Sequence, residues 1–280
     1  MPTQAEKAAA FRALHQRPGA FIIPNPWDAG TARLLASLGF EALATTSLGL
    51  ANALGRPDGT NAVSLDEVIQ NIRAIAEATN LPVNADLENG YADEPKLAGE
   101  AVRRAVEAGV VGASIEDFTG DAQRGVYDFQ HAVERVHAAA EVAHSLPVPV
   151  MLTARAENLL RGCNDLDDTI RRLQAFEKAG ADVLYAPGLR DLNTIRAVAR
   201  SVGKPINVVM SMADPSITAQ QLADAGVKRI SVGGALSRLA LGAFMEGARE
   251  MAEKGSFTWL RRGIPSRELS SVFDKCPRER

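Results

Sequence analysis

Short apolar runs recur along the chain at nearly even intervals, and each is followed by an amphipathic stretch. The runs are Ala20–Pro24, Ala42–Thr46, Pro82–Asp86, Gly112–Glu116, Val148–Ala154, Asp182–Ala186, Ile206–Met210 and Arg229–Val232. They are too short for buried helices and almost continuously apolar, as parallel strands covered on both faces must be. Between them, the spacing of apolar positions predicts helices that include Asp66–Thr79, Glu94–Ala108, Leu166–Ala179, Leu192–Ser201, Thr218–Ala225 and Leu236–Lys254. Glycine punctuates the pattern at Leu38-Gly39, Ala108-Gly109, Ala179-Gly180 and Ala225-Gly226, just before a strand each time. That is where a helix ends on a left-handed residue.

Eight such units predict an α/β chain folded as one (β/α)8 TIM barrel over residues 1–260, with a polar tail or frayed end at 261–280. A doubly wound sheet shares the alternation but needs no eighth strand. It also more often carries a Gly-rich phosphate turn after its first strand, where this chain has Asn25-Pro26-Trp27-Asp28. The small residues Ala240, Gly242, Ala243, Gly247 and Ala248 give the last apolar-rich helix a face for close packing, on its own barrel or on a neighbour.

Composition narrows the function. Of 280 residues, 46% are hydrophobic and 23% charged, an ordinary globular balance, so disorder is not expected. The net charge of −3 comes with scattered Lys and Arg, which argues against nucleic acid or an anionic membrane as partner. The amino-terminal stretch has no long apolar run, which argues against a signal peptide, and no segment of about 18 apolar residues occurs to span a bilayer. Cys163 and Cys276 show no CxxC spacing, so a reduced, cytoplasmic setting is expected.

Barrel enzymes carry their chemistry at the carboxyl ends of the strands. Those ends, with the loop after the second strand, hold Asp28, Thr46-Ser47-Leu48, Asp58, Asp86 with Glu88, Glu116-Asp117, and Arg155 with Glu157. Like charges about 4 Å apart repel by roughly 4 kcal/mol at an effective dielectric near 20, so converging carboxylates call for a cation. All-oxygen ligands favour a hard ion, Mg²⁺ with Mn²⁺ as alternative, over zinc. A single Asp at a strand end is as readily a helix N-cap, which leaves Asp28 open. His15, His131, His137 and His144 all fall in helical stretches, which argues against a histidine zinc centre or a Ser-His-Asp triad. No Walker A or GxGxxG sequence occurs, so no nucleotide enzyme is indicated.

These segments resemble the isocitrate lyase/phosphoenolpyruvate mutase superfamily from about Phe11 to Trp259. The resemblance rests on Pro24-Asn25-Pro26-Trp27-Asp28, Thr45-Thr46-Ser47-Leu48-Gly49-Leu50, Gly55-Arg56-Pro57-Asp58, Asn84-Ala85-Asp86-Leu87-Glu88-Asn89-Gly90-Tyr91, Ser114-Ile115-Glu116-Asp117 and Thr153-Ala154-Arg155-Ala156-Glu157, in that order. It implies a Mg²⁺-dependent barrel acting on small α-oxo or 2-hydroxy carboxylates. Asp86 then matches the direct metal ligand, and Asp58, Glu88 and Glu116 match carboxylates that hold it through waters. At the Glu88 position the superfamily more often has Asp. The Ser47 and Leu48 amides, beside Thr46, match a cradle for the substrate carboxylate, and Arg155 matches the arginine on substrate oxygens. A structural ion pair of Arg155 with Glu157 or Glu116 is the alternative. Dimers or tetramers that exchange the last barrel helix are also implied.

The loop after Glu116 departs from that pattern. Isocitrate and methylisocitrate lyases carry Lys-Lys-Cys-Gly-His there, and the mutases and phosphonopyruvate hydrolases a Lys-Thr-Asn-Ser-type loop. This chain reads Phe118-Thr119-Gly120-Asp121-Ala122-Gln123-Arg124-Gly125-Val126-Tyr127-Asp128. The expectation is therefore a lyase cleaving a C–C bond beside an α-oxo carboxylate through an enolate, on an oxaloacetate-like acid or substituted malate. In it, Arg155, Glu116 and Asp58 are catalytic candidates, while Thr46, Ser47, Leu48, Asp86 and Arg155 bind substrate. P–C chemistry on phosphonopyruvate, and a member that binds α-oxo acids without turnover, remain the alternatives. Asp121, Arg124 and Tyr127 are the loop residues available to give a proton, or a solvated lid. A phosphate site at Ser231-Val232-Gly233-Gly234-Ala235 is a further rival, against tight strand-to-helix packing there.

Overall fold

The computed structural model describes residues 1–274 and contains a strand at each of the eight apolar runs, the fifth extending one residue past its run to Arg155. They are β1 (Phe21–Ile23), β2 (Leu43–Ala44), β3 (Val83–Asp86), β4 (Gly112–Glu116), β5 (Met151–Arg155), β6 (Val183–Tyr185), β7 (Ile206–Val209) and β8 (Arg229–Ser231). All neighbours pair in parallel, in the order β1-β8-β7-β6-β5-β4-β3-β2, and helices alternate with the strands. The result is a nearly closed (β/α)8 TIM barrel.

The seam lies between β1 and β2. There one backbone bond, Ala44 N–H to Pro24 O at 3.1 Å, stands in for a ladder. Asn25 stitches the gap with its side chain. Its Nδ2 donates to Thr45 O at 3.1 Å, and its Oδ1 accepts from Val232 N–H at 3.0 Å and Gly233 N–H at 2.9 Å. One buried amide thus ties β1, β2 and the end of β8 together.

Helix ends follow the caps written locally in the chain. Asp28 accepts from Thr31 N–H and begins helix Ala29–Ser37, which settles its role as an N-cap. Thr46 caps Ser47–Ala53, Ser64 caps Leu65–Glu77 and Asp165 caps Leu166–Lys178. All four histidines lie in helices, as expected: His15 in Gln4–Gln16 and the other three in Phe129–Ser145.

Two apolar assemblies divide the core. The larger one fills the layer between sheet and helices, with Ile72, Ile75, Val102, Leu152, Leu173, Phe176 and Leu184 buried. The smaller lies at the amino-terminal end of the barrel, where Phe11 and Leu14 of helix Gln4–Gln16 meet Phe21, Ile23, Met151 and Val183. The barrel is therefore plugged below and open above.

Helix Ala235–Lys254 is different in kind. Of its twenty residues only Ser237 and Gly247 are buried, and Leu239, Leu241, Phe244, Met245 and Met251 are exposed. The outer face of β1 is also bare at Ile22. Within the segment expected as a polar appendage, residues Ser266–Asp274 form a helix that meets helix Ala29–Ser37. Cys276 lies outside the described residues.

Candidate active site

A cavity of about 170 Å³ opens at the carboxyl ends of the strands and continues into the barrel. Its upper wall carries Thr46, Ser47, Leu48, Asp58, Asp86 and Arg155, all expected there. Glu88 and Glu116 are not on that wall. They stand behind it, both buried, so the four expected carboxylates surround the cavity without all facing it.

Local structure explains the split. Asp86 ends β3, and its amide is held by Thr45 Oγ1 at 2.8 Å. Its carboxylate accepts from Ser47 N–H at 3.0 Å and meets Arg155 Nη1 at 3.1 Å. Glu88, two residues on, holds a left-handed backbone at φ 46°, uncommon for a residue with a side chain. That turn aims it at the Tyr91 hydroxyl, which donates to Oε1 at 3.2 Å. Glu116 ends β4 and is drawn to Arg155 Nη2 at 2.8 Å, with Arg161 Nη2 3.6 Å from its other oxygen. Asp117 turns outward, accepting from Glu157 N–H at 2.8 Å and pairing with Arg172 at 3.0 Å, so it belongs to the scaffold.

Arg155 is the hub. It meets Asp86, Glu116 and Glu157, and Glu157 is fully buried with one oxygen on both Nε (2.9 Å) and Nη2 (2.8 Å) of the guanidinium. Both readings of this arginine are thus present in one geometry: it is ion-paired and it lines the cavity. Its guanidinium also lies 5.0 Å from the ring centre of Tyr185, which lines the same cavity.

Five carboxylates share two guanidiniums here, and their burial, with the crowding of like charge second to it, shows in their protonation. Burial, then Asp86 and Asp58, push Glu88 up to about 7. Burial raises Glu116 well above the carboxylate range, although Arg155 opposes the shift. Enclosure of the carboxyl, then Asp86, also lifts Asp58, even though the residue as a whole sits at the solvent edge. A divalent cation among them would relieve this repulsion.

Among the described residues, no three His, Cys, Asp or Glu side chains close directly on one metal position. That rules out a cage of direct protein ligands in this geometry. One carboxylate on the wall with three around it instead suits a hard ion that retains most of its water, as Mg²⁺ does. On this basis the donor set fits Mg²⁺.

The loop residues expected to give a proton do not reach the cavity. Tyr127 is buried and donates to Asp93 Oδ1 at 2.6 Å, and Arg124 pairs with Asp93 at 2.9 Å. Asp121 accepts from Gln123 N–H at 2.8 Å within its own turn. The rival phosphate site after β8 is likewise spent, because the Val232 and Gly233 amides already donate to Asn25. A Cβ on Gly234 would sit 2.5 Å from Leu48 Cδ2, so glycine there permits close packing against the cradle. Cys163 is free and exposed, away from the cavity wall.

Residues 11–252 match the phosphoenolpyruvate phosphomutase family. The chain belongs to that family, and so to the isocitrate lyase/phosphoenolpyruvate mutase superfamily. A provisionally assigned lyase/mutase from Burkholderia cenocepacia J2315 superimposes with a TM-score of 0.93 at 55% identity, covering 96% of each chain. Among curated relatives, the oxaloacetate decarboxylase of Ectopseudomonas mendocina is 29% identical over 88% of this chain and 84% of its own length. The 2-methylisocitrate lyase of Escherichia coli K12 is 29% identical over 78% of this chain and 75% of its own. Family members are lyases, mutases or hydrolases, and no helix among the described residues is long and apolar enough to cross a membrane.

Sequence reasoning missed Tyr185, Arg161, Asn25 as a seam and Arg229 on the cavity floor. Only Arg229 left a trace: a charged residue opening an otherwise apolar run.

Proposed function

We propose that this protein is a Mg²⁺-dependent lyase that cleaves a C–C bond next to an α-oxo carboxylate through an enolate, acting on an oxaloacetate-like acid or substituted malate. The observation that carries the reading is the convergence of Asp86, the Ser47 amide and Arg155 on one small cavity, metal acceptor beside carboxylate donors. The oxaloacetate decarboxylase and 2-methylisocitrate lyase among its relatives support C–C over P–C chemistry.

Asp86 would hold the ion directly, and Asp58, Glu88 and Glu116 would hold its waters. When bound, Mg²⁺ supplies Lewis-acid stabilisation of charge developing on the oxo oxygen. The Ser47 and Leu48 amides, fixed by the Thr46 cap, would orient the substrate carboxylate beside Asp86, which now accepts from Ser47 N–H. Arg155, pre-organised by Glu157 on its Nε and Nη2, would offer the Nη1 that now meets Asp86 to a substrate oxygen. Tyr185 is the proton donor this cavity offers: burial raises its phenol above the usual range, and no loop residue competes.

The exposed apolar face of Ala235–Lys254 and the bare outer face of β1 support a homo-oligomer, dimer or tetramer, in which copies exchange this helix. The buried repeat is then the same in each subunit.

A screen of α-oxo, 2-hydroxy and phosphono diacids with Mg²⁺, run beside Asp86→Ala and Arg155→Ala, tests the assignment. We expect turnover of an oxaloacetate-like acid or substituted malate, abolished by EDTA and by both substitutions. Turnover of phosphonopyruvate alone would replace the reading with P–C chemistry. Oxalate binding without turnover of any diacid would point to a non-catalytic member. Activity indifferent to both substitutions would reject the site.

A further inference from the structure

The deepest charge in the cavity is not explained by the mouth. Arg229 opens β8, points into the barrel and is 4% exposed, yet it lines the same cavity as Asp86 and Arg155. Its Nε donates to Asn207 Oδ1 at 2.9 Å and its Nη2 to Thr153 Oγ1 at 3.0 Å. Its Nη1 is buried with no hydrogen-bond partner.

The other deeply buried arginines meet carboxylates or carbonyls, although Arg135 too leaves its Nε unpartnered. Arg155 has three carboxylates, Arg172 has Asp117 and Asp168, and Arg135 donates to the Asp93 and Asn89 carbonyls and lies over the Tyr127 ring. Arg229 has no acid among the described residues. Burial pulls it down to about 10, with only Tyr185 offsetting the shift, so it stays charged at neutral pH. Below it lie the apolar plug and His15, whose own protonation Arg229 opposes. An unpaired buried guanidinium is costly, and the cavity that Arg229 lines is the space beside it in which an anion would offset that cost.

The surroundings are also unusual for a barrel core, where Val, Ile and Leu normally fill the interior. Here Asn84, Ser114, Thr153, Asn207 and Ser231 form a polar layer between the plug and the mouth. Thr153 lies two residues below Arg155 on β5, which sets the Arg229 contact about 6–7 Å deeper along the strand. That drop matches the reach of a four- or five-carbon diacid whose first carboxylate is held at the mouth.

We propose that Arg229 determines specificity by receiving the second carboxylate of an α-oxo or 2-hydroxy dicarboxylate on its guanidinium. The inference rests on the mouth being an α-oxo carboxylate site. A monoacid fills the mouth and leaves the floor charge unmatched, whereas a diacid satisfies both.

Calorimetric titration of the full-length, Mg²⁺-loaded protein tests it, with oxalate and pyruvate as ligands confined to the mouth and malate and 2-oxoglutarate as diacids. For the native chain, at least one diacid should bind about tenfold or more tighter than pyruvate. In Arg229→Gln that advantage should fall below about threefold while oxalate affinity holds within about threefold; Arg229→Lys should keep part of it. No diacid preference in the native chain, or its persistence in Arg229→Gln, overturns the proposal. If oxalate fails to bind but a diacid still protects the native chain and not Arg229→Gln from thermal unfolding, the mouth reading falls and the floor subsite stands. Should the variants not fold, native crystals soaked in malate decide: carboxylate density on the Arg229 guanidinium supports the subsite, and water or chloride alone rejects it.

Discussion

The β3–β5 side of the barrel and its β7–β8 side carry opposite electrostatic problems. On the first, Asp58, Asp86, Glu88, Glu116 and Glu157 crowd around Arg155 and Arg161, and three of the carboxyls are pushed toward protonation. On the second, a single guanidinium, Arg229, rests on Asn207 and Thr153 with no acid in reach. One side has too much negative charge and the other has a positive charge too many. Neither imbalance is cheap in a buried setting, and a cation above with a dianionic acid between them would correct both. The contrast teaches that this barrel is not self-neutralising among its described residues.

The strongest way to break the comparison is at the hub. Arg155→Ala leaves Glu157 and Glu116 buried without their cation, and should cost about 3–5 kcal/mol of stability, read by urea unfolding without Mg²⁺. Saturating Mg²⁺ should recover part of that loss, and no recovery would argue against a metal on this side.

Tyr185→Phe sharpens the catalytic half. Removing the phenol should lower kcat by about a hundredfold with KM changed little and leave the shape of the pH–rate profile near neutrality unchanged, since burial keeps that phenol protonated there. An unaltered kcat would move the proton donor to a bound water.

The floor offers a pH test. Burial, then the Arg229 charge, depress His15 to about 3, whereas the unfolded chain protonates it near 6.5. Its contribution is whole above about 6.5 and is lost as pH falls toward about 3, because only the unfolded state takes the proton. The native chain should lose about 2 kcal/mol between pH 7 and pH 5 relative to His15→Phe, measured by urea unfolding at each pH. Equal pH dependence in both would place His15 in a solvated setting.

The smallest effect belongs to the outer loop. Tyr127→Phe removes the hydrogen bond to Asp93 and should cost about 1 kcal/mol in thermal unfolding while kcat changes less than about twofold. A large fall in kcat would return Tyr127 to the active site.

The architecture was legible because its information is local. Each strand is a short apolar run, most helices begin at a Ser, Thr or Asp cap, and each unit repeats the last, so eight units could be counted without knowing how they meet. The motif order around Asp86, Glu116 and Arg155 was legible too, since catalytic barrels put such residues at strand ends. The direction of Glu88 was not legible, because a side chain's aim past the end of a strand depends on a backbone turn, such as φ 46° at Glu88, that composition does not encode.

From sequence alone follow the repeat, the helical placement of the histidines, the family resemblance and the acid-rich strand ends. Tertiary structure alone decided which acids line the cavity, that Asn25 bridges the seam, that Asp28 is a cap, and that Arg229 lies unpaired beneath the mouth. The physical reason is that charge balance is a property of neighbours in space. Arg229 meets Thr153 across 76 positions of chain, and only the closure of the barrel makes that arginine and the distant Asp86 walls of the same cavity.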